Sequence, residues 1–330
     1  MFIILKMVKE GTAGPGWQEF FLRVWPYYHD WFVSEGTHMR AGYTTSRSAL
    51  ETHMPELLPT YDRLCELAGG GDLEARFLSM WCPPPYLAAC SQLAWTKGDP
   101  TLVRNYDYNP RFFDGKLLYS NWLRPVIGML DSTWGLLDGM NADGLAASLS
   151  FGGRKVVGEG FGIPLVLRYV LETCTTVEEA CAALSRIPVH MTYNVTVMDR
   201  KGDYATVYLA PDRPPQVLHD PVGTNHQHVV EWDEYGTFTH TLARKRYLED
   251  AVAAPKMDLN GIMKCFLAPP LYQQQYFRSF GTLYGAAYNV KKGTVTLFWP
   301  EKRTTNGFKN YKERELHVHL LRPVGRFLAK

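Results

Sequence analysis

Cys90 and Ser91 open the run CSQLAW shortly after three consecutive prolines, and the next polar cluster downstream reads RNYD, Arg104 to Asp107. A thiol at the head of a strand is either a small buried hydrophobe or a nucleophile, and it is the latter only where its neighbours favour the thiolate. In a strand Arg104 and Tyr106 share one face while Asn105 and Asp107 share the other, yet a twist or bulge brings both charges near one end. A buried arginine or aspartate is costly unless paired, so these two either satisfy each other structurally or serve chemistry. The ten histidines allow a Cys-His dyad with His226, His228 or His240 as base, on a loop, GTNHQHVVEW, that equally reads as solvated. In DGMNADGLAASLSFGG, Gly139, Gly144, Gly152 and Gly153 read as hairpin punctuation, and Asn141, Ser148 and Ser150 beside them equally suit a pocket wall. Cys65, Cys174 and Cys181 fall among apolar helical neighbours and read as core; Cys82 shares the proline segment with Cys90.

Those residues need a scaffold, and the hydrophobic pattern supplies two kinds. The first 85 or so residues read as helical, in GWQEFFLRVWPYYHDWF and then PELLPTYDRLCELAGGGD, where Leu57, Leu58, Tyr61, Leu64 and Leu67 recur at helical spacing before Gly69 to Gly71 end the run. Pro83, Pro84 and Pro85 make WCPPPYLAAC an extended, exposed connector, a natural place for a covalent boundary. From Cys90 onward period two takes over in TLVRNYDY, GLAASLSF, YNVTVMD, YATVYLA, TLYGAAYNV and TVTLFW. Turn signals at DRKGD and KKG make antiparallel hairpins. IPLVLRYVLETC, TTVEEACAALSRI with a capping box of Thr176 and Glu179, and TLARKRYLEDAV read as helices between the strands. The order predicts an α+β fold with helices packed on antiparallel sheet.

Composition narrows the function. The chain has 330 residues, 46% of them hydrophobic, enough for a substantial core, and a net charge of +2 without a basic block, which argues against a nucleic-acid partner. The opening MFIILKMVKEG is too short for a secretory segment and no stretch approaches the roughly 20 apolar residues of a membrane span, so a cytoplasmic protein is expected. The six cysteines form no CxxC and no Cys/His cluster at zinc spacing, so neither a disulfide framework nor a metal or other cofactor is expected.

Together, PELLPTYDRLCELAGG before a Cys-Ser, then RNYDY, DGMNADGLAASLSFGG, YNVTVMDRKG, GTNHQ and GTLYGAAYN in that order resemble the cysteine N-terminal nucleophile (Ntn) hydrolases. The likeness is to the acyl-coenzyme A:6-aminopenicillanic acid acyltransferase family (peptidase C45-like), with choloylglycine hydrolase more distant. The resemblance implies an αββα four-layer sandwich, a helical N-terminal pro-region over 1–89 and a catalytic domain over 90–330. It implies self-cleavage between Ala89 and Cys90 through an N-to-S acyl shift, which frees a Cys90 whose own α-amino group serves as base. Free cysteine titrates at about 8.5 and an α-amino group at about 7.7 to 8.0, so no histidine is then required. By the same resemblance Arg104 lies against the nucleophile, Asp107 holds its amino group, and Asn225 donates to the oxyanion. Ser150 stands where the bile salt hydrolases carry a second asparagine, and the family's late arginine falls at Arg278 in preference to Arg244. Asn141 is a further candidate. The implied activity is hydrolysis of, or acyl transfer from, a linear amide in a small N-acyl amine or amino acid. An acyl pocket is expected to draw on aromatics such as Trp122, Trp134, Phe151 and Phe161. Two alternatives stand beside it: an unprocessed, non-catalytic relative acting as a binding protein, and a Cys-His thiol enzyme using Cys90 and His226. A homo-oligomer stays open.

Overall fold

The computed structural model describes residues 2–320. In chain order its strands are β1 (Phe2–Glu10), β2 (Ala89–Trp95), β3 (Thr101–Tyr108), β4 (Lys116–Asn121), β5 (Pro125–Asp131), β6 (Gly135–Asn141), β7 (Ala146–Phe151), β8 (Tyr193–Met198), β9 (Tyr204–Ala210), β10 (Arg213–Leu218), β11 (Val222–Gly223), β12 (Gly281–Asn289), β13 (Thr294–Trp299), β14 (Lys302–Gly307) and β15 (Arg314–His319). The α-helices are α1 (Pro15–Phe32), α2 (Tyr43–His53), α3 (Leu58–Leu67), α4 (Asp72–Leu78), α5 (Ile163–Thr173), α6 (Val177–Arg186), α7 (Asp233–Thr239), α8 (Thr241–Ala253) and α9 (Leu259–Cys265).

The strands form two sheets, ordered β10-β9-β8-β7-β6-β5-β4-β1-β15 and β11-β2-β3-β12-β13-β14. Three apolar clusters show how the layers stack. One joins α1 to α6 with the outer face of the nine-stranded sheet. A second lies between the sheets and contains Cys90, Leu102, Tyr106, Met140, Tyr284 and Tyr288. The third packs Leu248, Ile262 and Phe266 of the α8–α9 region on Leu93, Val103 and Ala287 of the smaller sheet. Helix, sheet, sheet and helix therefore follow one another, the αββα arrangement the resemblance implies. The hairpins at DRKGD and KKG join β8 to β9 and β12 to β13, and Thr176 and Glu179 form the expected capping box at the start of α6.

Two expectations about the first 89 residues are corrected. They are not wholly helical: Ile3, Leu5 and Met7 are buried between the sheets, with Phe2 and Ile4 exposed on the alternate face, so the opening segment has the period of a strand. β1 runs parallel to β4 and antiparallel to the edge strand β15, one strand inside that edge of the large sheet. Nor is the proline segment a simply exposed connector, because Ala88, Ala89 and Cys90 are all buried. The Cys82 N–H donates to Gly160 O at 2.9 Å and the Tyr235 hydroxyl to Ala88 O at 2.6 Å, which dock the segment onto the body. The leader helices also share a core with the rest: Trp17 Nε1 donates to Thr133 O and Trp134 Nε1 to Leu78 O, both at 2.9 Å. Among the described residues no helix is long and apolar enough to cross a membrane.

Candidate active site

β2 and β3 are neighbours in register, with Ala89 opposite Asp107, Cys90 opposite Tyr106 and Gln92 opposite Arg104. Opposed residues in an antiparallel pair project to the same face. Cys90, Tyr106 and Arg104 accordingly face the space between the sheets, while Ser91, Asn105 and Asp107 face α8 and α9. The alternation read from RNYD is the one the fold uses.

On the inner face the Arg104 guanidinium donates through Nη2 to Cys90 Sγ at 2.8 Å and to Leu149 O at 3.3 Å. Its Nη1 is paired with Asp138, both side chains fully buried. Asp138 also accepts from the Tyr284 and Tyr288 hydroxyls. The guanidinium lies over the Tyr106 ring at 5.1 Å, an arrangement that favours the cation. A carboxylate and two phenols thus hold the cation that touches the thiol. Asp138, Tyr284 and Tyr288 were not among the residues singled out from sequence; the signal was that Tyr284 and Tyr288, at even spacing in one strand, must share a face.

On the outer face Arg244, fully buried on α8, donates through Nη1 to Cys90 O at 2.6 Å and to Ser91 Oγ at 2.9 Å, and through Nη2 to Asn225 Oδ1 at 2.5 Å. Its Nη1 is 3.9 Å from Asp107 Oδ2. The Cys90 backbone N–H donates to Asn225 Oδ1 at 3.0 Å. Asp107 Oδ1 accepts from the Thr282 hydroxyl at 2.6 Å, whereas Oδ2 is buried with no hydrogen-bond partner among the described residues. Burial raises the Asp107 carboxyl to about 6, against the pull of Arg244 and Thr282. Burial likewise lifts the Cys90 thiol to about 11, opposed by Arg104, so in the uncut chain the thiol is protonated at neutral pH.

Cys90, Arg104, Asp107 and Asn225 therefore converge, but the late arginine is corrected. Arg278 is exposed, with its guanidinium over the Phe277 ring, while Arg244 reaches the nucleophile's backbone. Nearness in sequence to the terminal hairpin favoured Arg278; the burial of one face of α8 against β2 decides for Arg244. Asn225 also differs from the oxyanion donor expected: its Nδ2 is engaged by Phe151 O at 2.9 Å and its Oδ1 faces Cys90. Ser150, on β7 of the facing sheet, donates to Thr224 O at 2.9 Å and receives Gln92 Nε2 at 3.5 Å, with no hydrogen bond to the thiol among the described residues. Asn141 lies outside the site, its amide donating to Leu171 O and Cys174 O at the end of α5. His226 is not arranged as a base for Cys90: its Nδ1 faces the hydroxyls of Thr241 at 2.9 Å and Thr224 at 3.2 Å, and burial lowers the ring to about 4. His228 and His240 are exposed.

A cavity of about 270 Å³ opens between α1 and β3, and its wall includes Tyr86 and Tyr106, the register partner of Cys90. Trp134, Phe151 and Phe161 do not line it; they belong to the core under the helices, where Trp122 also packs.

Residues 95–304, about two thirds of the chain, match the sequence model of the acyl-coenzyme A:6-aminopenicillanic acid acyl-transferase family, a match that starts just after Cys90. No curated protein matches the chain. Among solved structures, a mutant conjugated bile acid hydrolase from Clostridium perfringens is similar at 15% identity, TM-score 0.48, covering 72% of this chain and 99% of that one. A Caenorhabditis elegans N-acylethanolamine-hydrolyzing acid amidase ortholog is similar at 15% identity, TM-score 0.43, covering 62% and 93%. A penicillin V acylase from Agrobacterium tumefaciens is similar at 14% identity, TM-score 0.39, covering 67% and 78%.

Proposed function

We propose, from the premise that the chain belongs to the acyl-coenzyme A:6-aminopenicillanic acid acyl-transferase family, a family of Ntn-type amide hydrolases and acyltransferases, that it is a self-processing enzyme whose nucleophile is Cys90. The observation that carries this reading is the pair of contacts on one residue: Arg104 on the Cys90 sulfur and Asn225 on its backbone nitrogen.

In the uncut chain the Cys90 thiol attacks the Ala89 carbonyl carbon, the Ala89–Cys90 C–N bond breaks, and a thioester links Ala89 to Cys90 Sγ. The released nitrogen takes up the thiol proton and becomes the Cys90 α-amine. Two acceptors suit that amine, Asn225 Oδ1, already hydrogen-bonded to the nitrogen, and Asp107 Oδ2, which has no hydrogen-bond partner among the described residues and whose residue sits opposite Ala89. Water then hydrolyses the thioester. In turnover the Cys90 sulfur attacks a substrate acyl carbonyl, the α-amine carries the proton from thiol to leaving amine, and water or a second amine resolves the acyl-enzyme. Arg104 stabilises the thiolate, and its anchoring by Asp138, Tyr284 and Tyr288 fixes the direction of that charge.

β1 is hydrogen-bonded between β4 and β15 in the large sheet, so the cleaved leader is proposed to stay as a second subunit. Cleavage frees the segment ending at Ala89 to move away and uncover the thiol, which is fully buried in the intact chain. Incubation of the processed protein with an N-acyl amide, followed by acid quench, is expected to add the acyl mass to the fragment beginning at Cys90. Acylation elsewhere, or none with any donor across a panel of linear amides, contradicts the reading. The unprocessed binding-protein alternative predicts a chain that stays whole.

A further inference from the structure

The cavity beside the site has a composition that general amide chemistry does not call for. Tyr27, Tyr28 and Trp31 of α1 face Tyr86, Tyr106 and Tyr108 across it, and Asp114 and Asp131 line the same space. Asp114 accepts from the Tyr28 hydroxyl at 2.9 Å and from Thr133 N at 3.4 Å. Asp131 accepts through Oδ2 from Ser132 Oγ at 3.0 Å, and none of the described residues bonds to its Oδ1. Neither carboxylate has a basic side chain within ion-pair distance among the described residues: Lys116, the nearest buried cation, stacks on the Phe20 ring at 3.8 Å. Arg23 and Arg111 line the cavity from exposed positions.

Two carboxyl groups without a counter-ion in an aromatic-walled space are costly unless a cation joins them, and aromatic faces attract the same ligand through their quadrupole. We propose that this cavity binds an organic ammonium group carried on an aromatic or short alkyl body, so that the substrate is an N-acyl amide bearing a positive charge. The assignment deepens the reading of Cys90 as an acyl-transfer nucleophile and rests on it for the word substrate; the cavity as a cation site does not. Tyr106 joins the two, because it lines the cavity and is the register partner of Cys90. With six of its fifteen lining residues on α1 and Tyr86 also from the leader, the site is complete only while the leader stays bound.

Burial raises Asp114 to about 7, with the charge of Asp131 adding to the rise, and burial raises Asp131 to about 6, so the pair holds protons that a cation displaces. The other titratable groups facing it are Tyr27, Tyr28, Tyr86, Tyr106, Tyr108, Arg23 and Arg111, which line the cavity, and Lys116, which acts on Asp114 from beside it. Burial lowers Lys116 to about 8, and it is the member of that set that changes charge as pH rises further. Affinity for a permanent cation therefore increases between pH 5 and 7.5.

The test uses Cys90→Ala, which is uncut and chemically silent, titrated calorimetrically with phenethylammonium, with neutral 2-phenylethanol and with anionic 3-phenylpropionate. The ammonium is expected to bind at least about tenfold more tightly than the alcohol, and Asp131→Asn to remove most of that difference. Tyr27→Ala, at a largely exposed wall position, replaces Asp131→Asn if that variant does not fold and should weaken the ammonium more than the alcohol. Equal affinities, preference for the anion, or no binding of any probe overturns the proposal. Assay of the wild type with amides charged on the acyl side or on the amine side then identifies which half enters. If the wild type fails to process while Cys90→Ala still selects the ammonium, the enzyme reading falls and the cation site stands; processing and turnover without charge preference do the reverse.

Discussion

Removing Asp138 isolates the cation that touches the nucleophile. Arg104 and Asp138 are both completely buried, and the remaining Arg104 contacts are to carbonyl oxygens, a tyrosine hydroxyl and the neutral Cys90 thiol. Breaking one side of a buried pair costs about 3–5 kcal/mol, because the other charge is left without compensation. Asp138→Leu also strips the acceptor from the Tyr284 and Tyr288 hydroxyls, at about 1–3 kcal/mol for each buried group left unsatisfied. Asp138→Asn keeps an acceptor and should sit near the lower figure. For a chain of this size about 2 °C of midpoint accompanies each kcal/mol, so Asp138→Asn is expected to unfold roughly 6 °C below wild type, with Asp138→Leu lower still. Thermal unfolding followed by circular dichroism at fixed scan rate reads this, and denaturing mass analysis of the same samples should show slowed cleavage. The double variant Arg104→Met with Asp138→Leu removes both charges of this pair and should recover much of the stability while staying uncut. An Asp138→Leu midpoint within 2 °C of wild type, or a double variant no better than the single, refutes the argument from an unpaired charge.

Arg244→Ala is expected to abolish cleavage, since Arg244 joins Cys90 O, Ser91 Oγ and Asn225 Oδ1, whereas Arg278→Ala should process at the wild-type rate; comparison of cleaved fractions over time checks both. Asp131 has a folded pKa of about 6, above the ordinary carboxyl value, so the folded state binds its proton more tightly and stability falls as pH rises through roughly 4 to 6. Asp131→Asn should therefore raise the unfolding midpoint at pH 8, with the gain gone by pH 4; a constant difference across that range contradicts the assignment. After processing, residues 1–89 and 90–330 should co-elute in native size exclusion and separate only in denaturant, because β1 is hydrogen-bonded to β4 and β15; elution as two species would contradict it.

Local pattern carried much of this fold. Period two located β3, β7, β8, β9, β12 and β13 and the register logic of RNYD, and the capping box placed α6. What escaped was non-local. β1 looked like a short apolar opening because its strand character shows only once β4 and β15 flank it. The choice between Arg244 and Arg278 depends on which helix face meets β2, which neighbours in sequence do not report. Asp138 was invisible for the same reason: its role comes from β3 and β12 across the gap between two sheets. The burial of Ala88 and Ala89 likewise depends on Tyr235, far along the chain.

The central claim is that this chain cuts itself at Cys90. Intact masses under denaturing conditions, for purified wild type and Cys90→Ala, measure it directly. The account predicts that wild type separates into a fragment ending at Ala89 and one beginning at Cys90, while Cys90→Ala remains a single chain. A wild type that stays whole, or a Cys90→Ala that is cut at the same bond, contradicts it.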